Sequence, residues 1–494
     1  MQRQNESAGV GADAALHLVR GIGLREAVAL NMLDMVGVGP FITLPLVVMA
    51  MGGPQAMLGW LLGAFLAICD GLVWAELGAA MPRAGGPYAF LREIYGPRAG
   101  RGVAFLYVWQ LAFSAPLSIA SGCIGLAQYA AYLGPSLHRP FLPAIFPGLH
   151  LPAWLPLQLD WAVLLAMAAC WLAVLLLHRS IRQAGRISLF LWVGVLATLA
   201  WTIFAGATHF HPALAFSFPP GAFHLSPKFF LGLGTATLLA TYDYWGYYNV
   251  CFLGGEVRHP ARNIPRAILL SIVSVAALYL AMNISVLGVI PWQQMVAHTG
   301  TDLANSVIAV LIARVYGSVA GRVMALLILW TAFASIFSLL LGYSRVFYAA
   351  ACDGNFFPRF AQLHPRYRVP HVALLWLGVL ASLACFFRLM DVIAALVVIR
   401  LVLQFLLQQV GLLLLRRRRP ELFHSFKMRL YPLPVWAAIA GSVFMLVSRH
   451  APGRQLLLAV ALAATGAGVY WLRSHAWGQR AEGRQAGAGA KGKE

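Results

Sequence analysis

Apolar runs long enough to cross a bilayer fill most of this 494-residue chain. A spanning helix needs about 20 residues for a hydrocarbon layer of ~30 Å. Twelve runs reach about that length, near 26–51, 55–81, 101–132, 159–178, 187–207, 228–253, 265–290, 318–350, 370–388, 391–415, 432–449 and 454–473. Only 11% of the residues are charged, compared with roughly 25% in soluble domains. The sequence therefore predicts an all-α polytopic membrane protein with twelve transmembrane helices.

Basic residues are concentrated in alternate loops between these runs. With the N- and C-termini in the cytoplasm, most of the Lys and Arg residues fall on the cytoplasmic side, including the run Arg416 to Arg419. Such a bias sets the orientation of a membrane protein. We therefore attribute the net charge of +20 to insertion in a lipid bilayer and expect no nucleic acid partner.

The first apolar run is interrupted at the segment Asp34 to Phe41. Pro40 has no N–H group, and Gly37 and Gly39 lose much backbone entropy in a helix, so the helix is expected to break here. Because hydrocarbon does not tolerate unpaired backbone groups, the break must line a cavity enclosed by protein. Unwinding over 37–40 would leave free N–H groups on the half that begins near Phe41. A helix N-terminus attracts an anion, such as a substrate carboxylate.

The sixth run carries a second set of helix-breaking and polar residues at mid-span, from Thr241 to Asn249. It contains Asp243, and a charged side chain at the bilayer centre costs on the order of 2.5–3.5 kcal/mol. Broken helices in the first and sixth positions predict two five-helix repeats of inverted topology with the solute between them. Asp243 could pair with a substrate ammonium or basic side chain, carry a coupling proton, or balance Arg400.

The tenth run places Arg400, Gln404 and Gln408 on one helical face, at positions i, i+4 and i+8. Arg keeps its charge in proteins, so Arg400 requires a partner. The candidates are Asp243, Asp34, Asp70 and a substrate carboxylate. An anionic substrate side chain at Arg400 would favour acidic amino acids, whereas Asp243 favours cationic amino acids or polyamines, and the sequence leaves both open.

Several motifs occur along the chain in the order found in one transporter family. They are Gly37 to Phe41, Ala75 to Gly78 with Pro82 to Tyr88, Gly246 to Ala267, Ser344-Arg345 with Asp353-Gly354, and Arg416 to Pro420 followed by Tyr431-Pro432. Together they resemble the amino acid–polyamine–organocation (APC) permeases over about residues 24–473. The resemblance implies a LeuT-type fold of ten core helices plus two, alternating access, and a substrate carboxylate bound at residues 37–39. With the compact, Arg-rich loops, it also implies a bacterial inner membrane.

This fold divides the chain as follows. We expect a cytoplasmic tail over 1–23, a ten-helix transport core over 24–415 with repeats at about 24–207 and 228–415, a cytoplasmic loop and two helices over 416–473, and a disordered tail over 474–494.

Candidate site residues follow from these patterns. The substrate-binding candidates are Val36, Gly37, Val38, Gly39, Tyr242, Asp243, Trp245, Gly246, Tyr107 and Gln110. The candidates for a charge network or proton coupling are Asp34, Asp70, Asp243, Arg400 and Gln404. Hydroxyls that could hold Na⁺, or simply allow close helix packing, are Thr331, Ser335 and Ser338.

Signals of other functional classes are weak. The chain has no metal-ligand spacing, P-loop or nucleophile elbow, so we expect no catalytic residues, metal or cofactor, and no enzyme. A channel would need a continuous polar lining, but the polar stripes converge at mid-depth. The sequence thus predicts an amino acid permease. Its alternatives are a polyamine or acidic amino acid carrier and an exchanger, with coupling open between H⁺, Na⁺ and exchange.

Overall fold

The computed structural model describes residues 18–140, 160–297, 306–387, 400–448, 457 and 460–473. The helices in this part of the chain include α1 (Leu24–Met35), α2 (Gly39–Met51), α3 (Met57–Ala80), α4 (Pro87–Ile94), α5 (Gly96–Leu133), α6 (Trp161–Leu177), α7 (Ile181–Thr208), α8 (Pro227–Tyr244), α9 (Asn249–Phe252), α10 (Pro260–Leu287), α11 (Val307–Tyr316), α12 (Ser318–Cys352), α13 (His371–Ala384), α14 (Leu407–Arg418) and α15 (Leu433–Val447). A π-helical segment, Leu401–Leu406, leads directly into α14. Residues 460–473 are also helical.

Each of the twelve apolar runs predicted from the sequence contains helix in its described part. Among the described residues, five helices are individually long and apolar enough to cross a membrane: α3 with the short turn before it, α5, α7, α10 and α12. The bent pair α1–α2 makes a sixth. The apolar helices α6, α11, α13 and α15 are shorter than a full span. The tail over 474–494 and most of the tail over 1–23 lie outside the described residues.

The first span is broken between α1 and α2, whose axes differ by 46°. The non-helical residues are Val36 to Val38, and the second half begins at Gly39. The sequence analysis placed that start near Phe41, two residues too late. Proline is well accommodated in the first turn of a helix, so Pro40 belongs to the new helix and does not lie before it.

The span predicted from the sixth apolar run is broken after Tyr244, where α8 ends. Trp245 is extended, with φ −63° and ψ 143°. Gly246 has φ +126°, which side chains other than glycine rarely adopt. The chain resumes a helical turn at α9. A glycine at this position therefore allows the helix to stop and turn within the bundle.

Helix α1 lies at the centre of the bundle, where it packs against α7, α10 and α12. Helices α3 and α8 approach closely through small residues. A Cβ atom on Gly59 would lie 2.7 Å from the Ala236 side chain, and one on Gly63 would lie 3.3 Å from Ala240. Small residues spaced four apart allow membrane helices to approach each other in this way.

The outer surface of the bundle is strongly apolar. Large side chains that are more than 60% exposed include Leu175, Phe190, Val193, Phe204 and Val319. Soluble monomers rarely expose contiguous apolar surface on this scale. The protein is therefore an integral membrane protein with its apolar face towards lipid.

A buried ion pair joins α12 to the turn that follows α9, at the end of the bundle that the sequence predicts to be cytoplasmic. The fully buried guanidinium of Arg345 on α12 donates to both carboxylate oxygens of Glu256, at 2.9 and 3.2 Å. The Glu256 backbone carbonyl accepts the N–H groups of Gly21 and Ile22, at 2.8 and 3.0 Å. The pair therefore fixes the segment after the second break to both α12 and the start of α1.

Replacing Arg345 with Met should destabilise the protein by about 3–5 kcal/mol, because Glu256 would remain buried without its cation. Thermal unfolding of the purified protein would measure this loss. The double variant Arg345→Met, Glu256→Gln should recover part of it, since the uncompensated charge is removed. Arg419, whose side chain is 47% exposed in its ion pair with Glu93, provides the control. Arg419→Ala should leave the melting temperature unchanged. An equal loss of stability in Arg345→Met and in Arg419→Ala would contradict the argument.

Candidate substrate-binding site

The two helix breaks lie directly against each other. A Cβ atom on Gly246 would lie 2.6 Å from the backbone nitrogen of Met35, the last residue of α1. The Tyr279 hydroxyl on α10 donates to the Met35 carbonyl at 2.8 Å and lies 3.3 Å from the Asp243 carbonyl. One phenol therefore serves the carbonyl groups that both interruptions leave without a helical partner.

A polar cavity lies at this junction. The centres of water-sized molecules can occupy about 70 Å³ of it, whereas a single water needs only ~10–15 Å³. The first broken span, α5, the second break and α12 all contribute to its wall, together with Arg400. Three charged residues line it: Asp34, Asp243 and Arg400. The arrangement offers a small volume in which both signs of charge would face a bound solute.

Asp243 is a residue of α8, and its carboxylate lies against the N-terminal end of α2. One of its carboxylate oxygens accepts a hydrogen bond from the Thr43 hydroxyl, and the other lies against Gly39. The oxygen beside Gly39 is buried and has no hydrogen-bond partner among the described residues. A negative charge is stabilised at a helix N-terminus. The position that the sequence assigned to a substrate carboxylate therefore holds a carboxylate of the protein itself.

Arg400 is buried but is not in an ion pair with any described acidic residue. Its guanidinium donates to the hydroxyls of Ser118 and Tyr343, each at 2.6 Å. It also lies 5.9 Å from the Trp245 ring centroid and 5.5 Å from that of Tyr343. Neutral oxygens and aromatic faces surround the cation, so its charge remains available to an anion that enters the cavity.

The structure brings together most of the predicted site residues. Those that line the cavity are Gly37, Val38, Gly39, Tyr242, Asp243, Trp245, Asp34, Arg400 and Ser335. Val36 and Gly246 belong to the two breaks beside it. The others are not among the lining residues, namely Tyr107, Gln110, Asp70, Gln404, Thr331 and Ser338.

Helix α5 contributes to the cavity, but at a different depth from the one predicted. Its lining residues are Ser118, Ser121 and Gly122, and the Ser121 hydroxyl lies 3.1 Å from that of Tyr242. Gln110 lies two turns earlier and accepts a hydrogen bond from Ser114 at 3.0 Å. Helical periodicity identifies the face that points inward, but it does not say how far along that face the cavity lies.

The tenth run also differs from its predicted geometry. Residues 401–406 are π-helical, so Arg400, Gln404 and Gln408 do not follow the 3.6-residue period on which their shared face was predicted. Arg400 lines the central cavity, whereas the Gln408 side chain donates back to the Gln404 carbonyl at 2.5 Å. Gln409, which the sequence analysis did not select, reaches Asp70 instead.

The three candidate hydroxyls of α12 do not all line the cavity. Ser338 donates to the Leu30 carbonyl at 2.8 Å and accepts from the Asn249 side chain at 2.7 Å. Thr331 donates to the Leu327 carbonyl of its own helix at 2.9 Å. Ser335 alone of the three lines the cavity, where its oxygen would lie 3.0 Å from a Cβ atom on Gly37. The predicted trio therefore separates into one cavity residue and two that stabilise helix contacts.

Sequence reasoning missed four residues that contact the cavity's charged groups or the two breaks. They are Thr43, Ser118, Tyr279 and Tyr343. Nothing in the sequence indicates which polar group each of these hydroxyls will meet.

Comparison with known proteins assigns this architecture to a family. The model of the family described as "Amino acid permease" matches residues 22–468. The chain belongs to the amino acid permease family. This membership confirms the family inferred from the sequence motifs and identifies amino acid transport as the function.

Named relatives align over most of their length. The serine/threonine exchanger SteT of Bacillus subtilis is 26% identical over 444 residues, which is 87% of this chain and 91% of the relative. The branched-chain amino acid permease BcaP of the same organism is 24% identical, over 80% of this chain and 81% of the relative. The human Asc-type amino acid transporter 1 is 28% identical, over 88% of this chain and 79% of the relative.

Substituting Gly39 with Ala should weaken substrate binding at least about tenfold, or about 1.4 kcal/mol. The added methyl group would overlap the Asp243 carboxylate and displace it into the cavity. Binding of radiolabelled amino acids to the purified protein would measure the effect. Gly468→Ala is the matched control, because a Cβ atom there meets nothing within 4 Å. Affinity of wild-type strength in Gly39→Ala would remove this face of the cavity from the binding site.

Proposed function

We propose that the protein carries amino acids across the bilayer by alternating access, with the solute bound between the broken first and sixth spans. The observation that carries this proposal is the cavity at the junction of the two breaks, with two carboxylates and one guanidinium in its wall. Secondary transporters place their substrates at such discontinuous helices near the middle of the membrane.

The charges in the cavity match the two ends of a zwitterion. Arg400 is the cation in the cavity wall, and it has no ion-pair partner among the described residues. In this proposal it binds the α-carboxylate. Asp243 and the half-buried Asp34 attract the α-ammonium group. Binding at both ends selects an amino acid over a solute with only one of these charges.

The relatives and the small cavity favour uncharged amino acid side chains. Two of the relatives are named for serine, threonine or branched-chain substrates, and one of these is named an exchanger. We therefore favour exchange of small neutral amino acids. A cationic amino acid or polyamine remains the alternative suggested by the two carboxylates, and an acidic amino acid the one suggested by Arg400.

The finer architecture belongs to the same proposal. It comprises twelve membrane-spanning helices, a LeuT-type five-plus-five inverted repeat over 24–415, and two additional helices in 416–473. The termini and the Arg416 to Arg419 loop are cytoplasmic by the positive-inside bias, and the compact, Arg-rich loops support a bacterial inner membrane. No catalytic step is assigned to any residue, and H⁺ and Na⁺ remain candidate coupling ions.

Transport in proteoliposomes tests the proposal directly. Vesicles loaded with unlabelled serine, threonine or alanine should take up the same labelled amino acid by counterflow, with and without Na⁺. Lysine, putrescine and glutamate inside the vesicles test the alternatives. Counterflow driven only by putrescine, or only by glutamate, would replace the neutral amino acid assignment. Absence of flux with all of these solutes would reject the transport proposal for this set.

The charge assignment predicts that two neutralising substitutions both weaken amino acid binding but differ in their effect on amino alcohols. Asp243→Asn should lower amino acid affinity at least about tenfold (about 1.4 kcal/mol), because the ammonium loses its counter-charge. Arg400→Gln should weaken amino acids by a similar factor but spare the corresponding amino alcohols, which have no carboxylate. Competition binding would measure both effects.

Asp353→Asn and Arg419→Gln are matched controls, because both residues lie in exposed ion pairs away from the cavity. Both should bind amino acids normally. If Arg400→Gln weakens an amino acid and its amino alcohol equally, Arg400 does not recognise the carboxylate.

A further inference from the structure

A second, smaller cavity lies between α3, α8, α14 and α15 and contains the buried acid Asp70. Water-sized molecules can occupy about 20 Å³ of it, enough for about one water. Besides Asp70, its polar lining residues are Thr241, Tyr247, Gln409 and Ser442. The Thr241 hydroxyl is buried and has no partner among the described residues. This cavity is separate from the substrate cavity, but Trp245 lines both.

Asp70 is held by two neutral donors. The Tyr247 hydroxyl donates to one carboxylate oxygen at 2.5 Å, and the Gln409 amide donates to the other at 2.6 Å. Gln409 in turn lies 3.4 Å from the Ser442 hydroxyl. These contacts fix the carboxyl group in one orientation while leaving it without a counter-charge.

No described cation faces Asp70. On its own helix the adjacent titratable group is Cys69, and Glu76 further along is paired with Arg416. The second break presents Tyr247, α14 presents Gln409, and α15 presents Ser442. Helix α10 presents only apolar side chains to the neighbouring Gly71, namely Ile268 and Ile272. A carboxylate buried in membrane without a cation is functional by default, since its charge is costly there.

We propose that Asp70 is a proton-binding site outside the substrate cavity, and that its protonation state controls the conformation of the second helix break. The inference rests on the proposed transport function and adds pH control to it. The ligand is a single proton taken up by the carboxylate and released from the carboxyl group, so no other reactant is required.

The hydrogen bonds give the route by which protonation reaches the break. The Tyr247 hydroxyl donates its proton to ionised Asp70. When Asp70 carries a proton on that oxygen, the carboxyl group becomes the donor to the Tyr247 oxygen. The hydroxyl proton of Tyr247 must then rotate away from Asp70. Tyr247 directly follows Gly246, whose φ of +126° allows the turn in the chain. Protonation of Asp70 therefore acts on Tyr247, the residue next to the turn at Gly246.

Trp245 can transmit this change to the substrate cavity. Its indole stacks on the Phe405 ring, with centroids 5.0 Å apart and planes 25° apart. Phe405 lines the Asp70 cavity, and Trp245 separates the two cavities. Arg400 lies 5.9 Å from the Trp245 ring centroid on the other side of that wall. A shift of the 245–247 segment would thus alter the surroundings of the cation proposed to bind the substrate.

Asp70→Asn is the primary test, because the amide has the shape of the carboxyl group but cannot take up a proton. We expect the wild-type rate of amino acid counterflow in proteoliposomes to change several-fold between about pH 5 and pH 8. In Asp70→Asn the flux should persist, and the ratio of rates across this range should fall to within about 1.5-fold.

Tyr247→Phe provides a second readout if Asp70→Asn does not fold. Removing the hydroxyl removes the proposed route to the second break, so the pH dependence of transport should weaken. Any remaining midpoint should move upward, because the ionised form of Asp70 loses a donor. Ser442→Ala is the matched control, since it alters the same cavity but leaves both donors to the carboxylate in place. Its pH profile should equal that of the wild type.

The outcomes separate the two proposals. Absence of amino acid flux in the wild-type protein at every pH would count against the transport proposal. Normal wild-type flux with no pH dependence, or an Asp70→Asn variant that keeps the wild-type pH profile, would overturn the role of Asp70 alone. A Tyr247→Phe variant with the pH profile of the wild type would exclude the route through the second break.

Discussion

The structure depends on the requirement that backbone groups inside a membrane find partners within the protein. Each break in a helix frees carbonyl and N–H groups, and here the two breaks satisfy them together. Asn31 on α1 accepts the Val250 N–H at 2.9 Å, and Tyr279 on α10 donates to the Met35 carbonyl at 2.8 Å. Side chains from one span thus replace the helical hydrogen bonds lost in another. The breaks are stable because they are adjacent, and their adjacency creates the cavity.

Charge inside that cavity is arranged differently from a simple ion pair. Asp243 lies at the end of α2 with the Thr43 hydroxyl, and Arg400 is surrounded by hydroxyls and rings. Each charge is therefore partly stabilised by dipoles, and neither neutralises the other directly. A resident ion pair would have to be broken before a substrate could bind. In the proposed function, separate, dipole-stabilised charges leave both ends of the site ready for a zwitterion.

Much of this could be predicted from the sequence, because the breaks are costly and therefore conspicuous. Gly37, Gly39 and Pro40 in one apolar run and Asp243 in another have no place in regular lipid-facing helices. What the sequence could not provide was depth and register. Ser118, two turns beyond Gln110, lines the cavity, and the π-helical turn after Arg400 places Gln409 on Asp70. Both depend on tertiary packing that a helical period does not encode.

The Tyr279 phenol has a consequence for movement between conformations. Its hydroxyl has one proton, which goes to the Met35 carbonyl, while the Asp243 carbonyl lies 0.5 Å further away (2.8 against 3.3 Å). A sideways displacement of half an ångström would exchange the two acceptors without leaving either peptide group far from a donor. The Tyr279 hydroxyl can therefore bond either carbonyl, so a small shift between the two interrupted helices would keep one hydrogen bond across their junction.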